Sequence, residues 1–470
     1  MITLRPYQSA ALDAVRQAYR EHYRAPLLVM PTGSGKTICF AAITHGAAQR
    51  GKRVMILAHR IELVDQIAEA LDQSDTEYTI VAANYHRSNR FGQVIVASVQ
   101  TLVRRLKDIP VPDLVICDEA HHLGTGNTWA AIFKHYAGAH KLGVTATPVR
   151  QDGRGLGEHF DKLIIGPTVA ELTPEYLAPA RIFAPPTMDT SNLHVRAGDY
   201  VNAEAEALAD TPAITGDALS HYRKHADGKP AIVFCTSVKH AEHVAAQFRE
   251  GGYAAVSLNG GSAREIRQMC VKDFKRGALQ VMASCDLFSE GFDSPGVHVG
   301  ILLRPTASLG LYLQQVGRCL RIAPGKTEAT ILDHAGNCVR FGLPNESRDW
   351  QLTYDETTRK SKPKTSVRVC PACFAASSSR SRVCTNCGRE FPVEPRQVEE
   401  REGELAEVTA EMLAKRAVRR EQGRSQTLEQ LQEFGRRKGY APGWAIRVYQ
   451  ARMAKRRMSE APDVDASRGF

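Results

Sequence analysis

Long apolar runs are missing from this 470-residue sequence, and no stretch approaches the roughly 20 consecutive apolar residues that a membrane-spanning helix requires. Residues 1–6 also lack the apolar segment of a secretory signal peptide. We therefore expect a cytoplasmic protein with no membrane partner. The apolar fraction of 43% is ordinary for chains that form cores, and the length leaves room for about three domains.

Grouped cysteines are missing from most of the chain, because seven of the eleven occur singly in the first 338 residues and suit small buried thiols. The other four, Cys370, Cys373, Cys384 and Cys387, form two Cys-x-x-Cys pairs separated by ten residues. Four thiolates at this spacing suit one tetrahedral Zn²⁺. The alternative is a redox-active dithiol, although neither pair lies beside a thioredoxin-like strand and helix. We predict a zinc ribbon at residues 365–395.

A charge excess is also missing from the first three quarters of the chain. Residues 1–358 contain 37 basic and 37 acidic residues, whereas residues 359–457 contain 23 basic and 11 acidic residues. A basic segment attached to a neutral body is typical of a protein that holds a polyanion. The alternative is a solvated segment that only keeps the chain soluble.

The strongest local signal follows the apolar residues 27–29. The predicted strand ends there, and the chain turns through two glycines before it continues into a second apolar segment. The turn comprises Met30, Pro31, Thr32, Gly33, Ser34, Gly35, Lys36 and Thr37. Backbone N–H groups at such a turn, together with a helix N-terminus, bind anions. Lys36 would pair with the β- and γ-phosphates of a nucleotide, and the Thr37 hydroxyl would ligate Mg²⁺. Met30 replaces the glycine of the strict phosphate-loop pattern, and a plain turn with a helix cap is the alternative.

Short, wholly apolar segments alternate with helix-compatible segments over the first domain, which we predict at residues 1–170. These segments are residues 27–29, 54–57, 94–97, 114–117 and 142–144. Strands without polar alternation indicate a parallel sheet that is covered on both faces. Ligands collect at the carboxyl ends of such strands.

Two carboxylates, Asp118 and Glu119, follow the fourth of these strands. Burying adjacent carboxylates without a partner costs several kcal/mol, so a cation is their natural neighbour. Asp118 would hold Mg²⁺, and Glu119 would orient and deprotonate the attacking water. The alternative is an acidic cap of a short helix.

Together these motifs resemble those of the superfamily 2 helicases and translocases with an Asp-Glu-Ala-His box, and the resemblance covers most of the chain. It implies that Arg5 and Gln8 bind the adenine base. It also implies that three residues couple hydrolysis to movement, namely His121, Thr145 and Thr147. A further group of residues is implied to contact a nucleic-acid backbone, namely His59, Arg60, Ser98, Gln100 and Thr101. Hydroxyl, amide and guanidinium groups at strand ends are suitable donors to phosphate.

A second domain of the same type is predicted at residues 211–347, after a proline-interrupted connector at residues 171–210. Its apolar segments are residues 232–234, 255–258, 281–283 and 301–303. The resemblance assigns to it two further motifs, which contribute Gly291 and Asp293 to nucleotide binding and Gln314, Arg318 and Arg321 to catalysis.

Arg318 and Arg321 are three residues apart, so on one helix they would share a face and reach one anion. In the family such a pair points across a cleft at the γ-phosphate, where an arginine finger contributes a factor on the order of 10³ or more to kcat. Two exposed arginines with no function are the alternative.

Residues 4–8, 303–306, 320–327 and 331–337 resemble more closely the bacterial RadD (YejH) group and related prophage-type helicases. After the second domain, however, the chain is shorter and contains fewer cysteines than that group. A basic helical region is predicted at residues 400–458, where apolar residues at helical spacing indicate a small helical hairpin with a break at Gly439. Residues 459–470 are predicted to be disordered.

The sequence thus predicts two tandem RecA-like parallel-sheet domains of an α/β protein, followed by a small zinc ribbon and a helical C-terminal region. The predicted activity is that of an ATP- and Mg²⁺-dependent DNA helicase or translocase, whose lobes close around ATP and part after hydrolysis. An RNA helicase is one alternative. A nucleotide-gated DNA clamp that does not move is another, although Glu119, Arg318 and Arg321 are residues that such a clamp could lose.

Overall fold

The computed structural model of the protein describes residues 3–83, 85, 91–150, 153–186, 188–285, 296–353, 366–392, 422 and 427–460. Two parallel sheets with flanking helices dominate it, as the sequence predicts. Residues 1–393 form one compact unit, and residues 394–470 form another. None of the helices in the described ranges has both the length and the apolar character that crossing a membrane would require.

The first lobe contains the elements up to the end of its sheet. They are α1 (Pro6–Arg20), β1 (Pro26–Val29), α2 (Lys36–Ala48), β2 (Val54–Ala58), α3 (Ile61–Gln73), β3 (Thr79–Val81), β4 (Val94–Ser98), α4 (Val99–Leu102), β5 (Leu114–Asp118), α5 (Thr128–His135), β6 (His140–Thr145) and β7 (Lys162–Ile165). A short helix, α6 (Val169–Leu172), leads out of this lobe.

The second lobe follows α6. Its elements are β8 (Ala180–Phe183), β9 (Val195–Arg196), β10 (Asp199–Tyr200), α7 (Asn202–Ala209), α8 (Pro212–Ala226), β11 (Ala231–Phe234), α9 (Val238–Glu250), β12 (Ala255–Leu258), α10 (Arg264–Lys275), β13 (Val281–Ser284), β14 (Val299–Leu302), α11 (Leu309–Cys319), β15 (Ala329–Asp333) and α12 (Asn337–Phe341). A small hairpin, β16 (Val367–Val369) and β17 (Ala376–Ser378), comes next.

The sheet of the first lobe has the strand order β3-β4-β2-β5-β6-β1-β7, and its pairs are parallel. Its central strands are apolar throughout because both faces are covered. Along β2, for example, Val54 and Ile56 belong to one apolar cluster, whereas Met55 and Leu57 belong to the cluster on the opposite face. The carboxyl ends of β5, β6 and β1 are therefore neighbours at one edge.

The sheet of the second lobe has the order β12-β13-β11-β14-β15-β8, again with parallel pairs. Strand β8 lies inside the predicted connector, but it pairs with β15 and completes this sheet. The sequence signal was weak because Pro179, Pro185 and Pro186 surround the strand. Prolines are tolerated at sheet edges, where β8 lies.

The cysteine-containing hairpin packs against the second lobe. Phe374 O accepts a hydrogen bond from Ala184 N at 2.8 Å. Cys370, Cys384 and Phe391 are buried in the same apolar cluster as β11 and α9. The region is therefore part of the second lobe and not a separate domain.

The second compact unit contains α13 (Leu428–Lys438) and α14 (Trp444–Glu460). Gly439 ends α13 with φ +71°, and the Phe434 and Trp444 rings pack with their centroids 5.7 Å apart. The predicted helical hairpin is confirmed. Much of residues 400–458, and residues 461–470 of the predicted tail, lie outside the described residues, as do Gly291 and Asp293.

Residues 344–353, the return segment, lead from the second lobe back to the first. Leu352 O accepts a hydrogen bond from Gly157 N at 2.9 Å, and Trp350 and Leu352 pack against the first-lobe core. A Cβ at Gly155 would lie 2.0 Å from the Leu352 carbonyl oxygen, so only glycine permits this approach. The segment ties the two lobes together.

This packing yields a stability prediction. Replacing Gly155 with alanine should displace the return segment and cost on the order of 1–3 kcal/mol, the usual cost of overpacking. Thermal unfolding of the full chain measures the effect. Gly138 is the matched control because a Cβ there meets no atom within 4 Å. Equal midpoints for the two variants would show that the return segment contributes nothing to the folded state.

Candidate active site

The loop between β1 and α2 has the backbone that a phosphate-binding turn needs. Gly33 and Gly35 adopt φ values of +87° and +79°, which side-chain-bearing residues rarely reach. A Cβ at Gly35 would also lie 2.4 Å from the Gln8 amide nitrogen. The N-terminus of α2 begins at Lys36, so both the helix dipole and the loop N–H groups face the same space.

The N-terminal segment braces this loop. Gln8 Nε2 donates to Ser34 O at 3.1 Å, and Tyr7 Oη donates to the same carbonyl at 2.9 Å. Gln8 Oε1 accepts from Arg5 N at 2.9 Å, and the Arg5 guanidinium lies 4.9 Å from the centre of the Tyr176 ring. Gln8 therefore links the segment to the phosphate loop. Its contact with adenine, and that of Arg5, stay predictions.

Asp118 and Glu119 lie at the end of β5, two strands from the phosphate loop. Both are buried, with 4% and 7% of their surface exposed. Glu119 N donates to Asp118 Oδ1 at 3.0 Å, and Glu119 adopts a left-handed backbone with φ +48°. This conformation is uncommon for a residue with a side chain and marks a constrained turn. The two carboxylates point into the cleft as a fixed pair.

One cleft brings together residues from both lobes. Its lining includes Thr32, Gly33, Gly35, Lys36, Thr37, Gln66, Glu69, Gln73, Asp118, Glu119, Arg318 and Arg321. Two predicted sets that lie almost 200 residues apart in the chain thus meet, as the resemblance implies. Gln66, Glu69 and Gln73 of α3 were not predicted. Their one available signal was a polar stripe at helical spacing beside the apolar face of α3.

The prediction that Arg318 and Arg321 share one helix is wrong. Helix α11 ends at Cys319, and Arg321 lies beyond it, where its backbone forms a bridge with Leu177. Both arginines nevertheless line the cleft because the chain turns back along the phosphate loop. Burial lowers the pKa of Arg321 to about 10, so it stays protonated at neutral pH.

The two lobes touch at the phosphate loop itself. A Cβ at Gly317 of α11 would lie 2.5 Å from Thr32 Cβ, and a Cβ at Gly33 would lie 3.3 Å from Arg321 Cγ. Glycine at position 317 therefore permits α11 to approach the loop. The lobes are in the arrangement in which both can contact one bound anion.

A hydrogen-bonded chain of side chains crosses the interface between the lobes. His121 Nδ1 lies 3.1 Å from Thr145 Oγ1 and 3.4 Å from a Glu119 carboxylate oxygen. Gln314 Nε2 lies 3.3 Å from His121 Nε2. Since the Gln314 amide nitrogen can only donate, the proton of a neutral His121 lies on Nδ1. Thr145 Oγ1 in turn donates to Thr147 O at 2.9 Å.

The residues predicted to contact nucleic acid lie at adjacent strand ends of the first lobe. Gln100 Nε2 donates to His59 O at 3.0 Å, and Ser98 Oγ donates to Gln100 Oε1 at 2.8 Å. Arg60 precedes α3, and Thr101 lies on α4. The structure gathers these groups on one surface. Their contact with a nucleic acid stays a prediction.

The four C-terminal cysteines converge on one point. Their sulfur atoms lie within 4.8 Å of one another. Cys370 Sγ is 3.7 Å from Cys387 Sγ, and Cys373 Sγ is 3.6 Å from Cys384 Sγ. Four sulfurs about 2.3 Å from one tetrahedral Zn²⁺ would be about 3.8 Å apart. The closest contacts join different Cys-x-x-Cys pairs and are far longer than a disulfide bond, so the donor set fits a structural zinc ion.

Comparison with known families agrees with this geometry. The family described as "Type III restriction enzyme, res subunit" matches residues 1–150, and the family described as "Helicase conserved C-terminal domain" matches residues 214–323. The first match contains the phosphate loop and the Asp-Glu pair. The second contains α11 and Arg321.

Related proteins were also found. A "51.5 kDa protein" of Lactococcus phage (isolate 7-9) is 36% identical over 372 residues, which cover 78% of each chain. The Saccharomyces cerevisiae protein IRC3, whose name designates it an ATP-dependent helicase, is 29% identical over 355 residues. That match covers 71% of this chain but only about half, 51%, of IRC3.

Solved structures share the fold. A fragment of an HsdR subunit assigned to a type I restriction enzyme of Vibrio vulnificus YJ016 superposes with a TM-score of 0.56 at 22% identity, covering 73% of this chain and 68% of that one. The Type ISP restriction-modification enzyme LlaBIII, solved bound to DNA, gives 0.51 at 16% identity, covering 73% and 29%. With both family matches and the phage relative, the chain belongs to the superfamily 2 helicases, which are nucleic-acid-dependent ATPases.

Proposed function

We propose that the protein is a DNA-dependent motor that hydrolyses ATP at the cleft between its lobes in order to move along DNA or remodel it. The observation that carries the proposal is the single cleft lined by Lys36, Thr37, Asp118 and Glu119 of one lobe and by the arginines of the other. A site divided in this way is complete only when the lobes are together. Nucleotide state therefore controls lobe separation.

Each residue of the cleft has a task in this proposal. The phosphate loop binds the polyphosphate through its N–H groups, and Lys36 holds the terminal phosphates. Thr37 and Asp118 would hold Mg²⁺, which neutralises charge on the phosphates when bound. Glu119 accepts a proton from the attacking water. Arg318 and Arg321 stabilise the charge that develops on the transferred phosphoryl group.

Coupling runs from Glu119 to the second lobe. His121 contacts Glu119 and Thr145 within the first lobe, and Gln314 reaches His121 from α11. A change in lobe spacing breaks the last of these contacts first. The position of α11 therefore affects the general base through His121, and nucleotide binding in the first lobe affects the position of α11.

DNA is the nucleic acid along which we propose that the protein moves. The residues at 59, 60, 98, 100 and 101 offer donors suited to a sugar-phosphate backbone, and the excess of basic over acidic residues lies in the C-terminal quarter of the chain. The family matched over residues 1–150 is named for restriction enzymes, and LlaBIII was solved on DNA. We place the chain near the RadD-type and prophage helicases within its superfamily, with a role in DNA repair, recombination or phage DNA metabolism. An RNA helicase is the second candidate.

We also propose that Cys370, Cys373, Cys384 and Cys387 hold one Zn²⁺. Their sulfur spacing supports this. Thiolates are the form that binds zinc. The ion would fix a hairpin that packs on the second lobe.

Removing the phosphate-binding lysine should abolish hydrolysis. Lys36→Ala should lower kcat by a factor on the order of 10³ or more because the terminal phosphates lose their positive partner. Lys52→Ala is the control, since Lys52 lies on the surface in an ion pair with Asp113. Steady-state ATPase assays with single-stranded DNA, duplex DNA, forked DNA and RNA measure both variants. Near-normal turnover by Lys36→Ala would exclude this site.

The same assays on the wild-type chain distinguish the candidate functions. Stimulation by DNA and not by RNA is expected for the proposed motor, whereas stronger stimulation by RNA would favour the second candidate. A clamp would bind DNA without translocation-linked turnover, so DNA binding with no rise in hydrolysis would contradict the motor.

Breaking the contact between the lobes should uncouple them. Gln314→Ala should lower DNA-stimulated kcat by about 10-fold or more, while KM for ATP changes little, because the lost contact forms across the lobes and not with the bound nucleotide. Gln17→Ala, at an exposed glutamine of α1, is the control. An equal loss of basal and stimulated rates would indicate simple damage to the site instead.

Zinc can be tested directly. The double replacement of Cys384 and Cys387 with serine should release about one zinc ion per chain, lower the thermal midpoint and weaken DNA affinity. Basal hydrolysis should largely remain because the cysteines are not part of the cleft lining. Cys285→Ser, outside the cluster, should keep its zinc. Metal analysis that finds no zinc in the wild-type chain would refute the assignment.

A further inference from the structure

The chain reverses direction immediately after Arg321. Lys326 N donates to Ala323 O at 3.1 Å, which closes a four-residue turn. Pro324 occupies its second position, and Gly325 occupies the third with φ +75°. This combination is that of a type II turn, which needs a residue free to adopt positive φ at the third position. The turn carries the Lys326 side chain back beneath the end of α11.

The Lys326 ammonium donates to three backbone carbonyl oxygens. Lys326 Nζ lies 2.5 Å from Val297 O, 2.5 Å from Cys319 O and 2.8 Å from Arg321 O. An ammonium group has three N–H donors, so its full donor capacity is used. Cys319 is the last residue of α11, and its carbonyl belongs to the negative end of the helix dipole. A cation stabilises that end.

These three carbonyl acceptors belong to different segments of the second lobe. Arg321 contributes its own carbonyl, so the contact acts directly on the backbone from which its guanidinium extends. Val297 lies two residues before β14. On the other side, Leu320 O accepts from Ala178 N at 2.7 Å. The backbone at Arg321 is thus held from two directions, by Ala178 and by Lys326.

We propose that Lys326 is a positioning residue for Arg321, whose backbone it fixes so that the guanidinium points into the cleft opposite Lys36 and Glu119. This inference rests on the proposed role of Arg321 in hydrolysis. Because α11 stops at Cys319, helical geometry does not place Arg321, and another constraint must do so. The ammonium beneath the turn supplies that constraint together with the bridge to Leu177, and Lys326 is not among the residues that line the cleft.

Burial makes the Lys326 ammonium sensitive to pH, and the nearby titratable groups modify this effect. Arg318 and Cys319 lie on α11, Arg321 lies beyond the helix, and His298 faces it from the strand side. Burial lowers the pKa of Lys326 to about 8, with Arg321 contributing in the same direction. Burial also lowers the pKa of His298, which is neutral at pH 7 and above. From pH 7 to 9, therefore, Lys326 loses its charge and one N–H donor.

The test compares Lys326→Met, Arg321→Ala and the double variant by DNA-stimulated ATPase kinetics. Lys326→Met should lower kcat by about 10- to 100-fold with KM little changed, as expected for a misplaced catalytic group. The double variant should be no slower than Arg321→Ala alone, because both changes remove the same contribution. Lys275→Met, at an exposed lysine of α10, is the control. Thermal unfolding and binding of a fluorescent ATP analogue verify folding.

Each outcome separates the two proposals. If Arg321→Ala keeps wild-type kcat, the role of Arg321 in hydrolysis fails. If Arg321→Ala is impaired while Lys326→Met keeps wild-type kcat, only the positioning role of Lys326 is overturned. Losses that multiply in the double variant would also overturn it, since Lys326 would then act independently of Arg321.

A pH profile gives a second readout, which does not depend on any substitution of Arg321. The ratio of wild-type to Lys326→Met kcat should fall as pH rises from 7 to 9, with a midpoint near the pKa of about 8. Arginine stays protonated in this range, so Lys326→Arg should keep the dependence small if it supports hydrolysis. A ratio that stays constant from pH 7 to 9 would overturn the proposal.

Discussion

The arrangement of the molecule depends on how closely α11 approaches the phosphate loop. Gly317 faces Thr32 with no room for a side chain, and Arg321 passes beside Gly33. The lobes therefore approach each other closely at two glycines, one on each lobe. A side chain at position 317 would overlap Thr32 and push α11 away from the loop, whereas a side chain at position 33 would crowd Leu177 and Arg321.

That close approach explains why other contacts cluster around it. The return segment ties the second lobe to the first on one side, through Leu352 and Trp350. The pair formed by Glu62 and Arg267, 2.6 Å apart, joins α3 to α10 on another. The contact of Gln314 with His121 is a third one between the lobes. Individually such contacts are modest, but together they fix the relative positions of two rigid sheets.

Local patterns predicted the parts of the fold that local physics determines. The apolar strands, the phosphate loop and the carboxylates at the end of β5 could all be read from the sequence because each depends on neighbouring residues. The edge strand β8 was missed because its prolines obscure the pattern and only pairing with β15 makes it a strand. The return segment has no periodicity, and its position depends on two glycines almost 200 residues earlier.

The candidate site shows the same division. Lys36, Thr37, Asp118 and Glu119 follow their strands and occupy the predicted places. Arg318 follows from a helix, but Arg321 does not, because α11 ends where a bridge to Leu177 and the Lys326 contacts replace the helical bonds. Tertiary contacts, and not the three-residue spacing on a helix, thus determine the position of Arg321, although it lines the predicted cleft. Family spacing identified the residue, whereas helical geometry gave the wrong reason.

The burial of charged side chains in the cleft suits a site that is divided between the two lobes. The cleft lining contains three cationic side chains, those of Lys36, Arg318 and Arg321, and three carboxylates, those of Glu69, Asp118 and Glu119. Burial in this cleft lowers the pKa of Arg321 to about 10, so holding its guanidinium there carries a desolvation cost. In the proposed function, the triphosphate gives this guanidinium an anionic partner and so favours closure. Cleavage removes the terminal phosphoryl group that both lobes contact, and the desolvation cost of Arg321 then favours separation of the lobes.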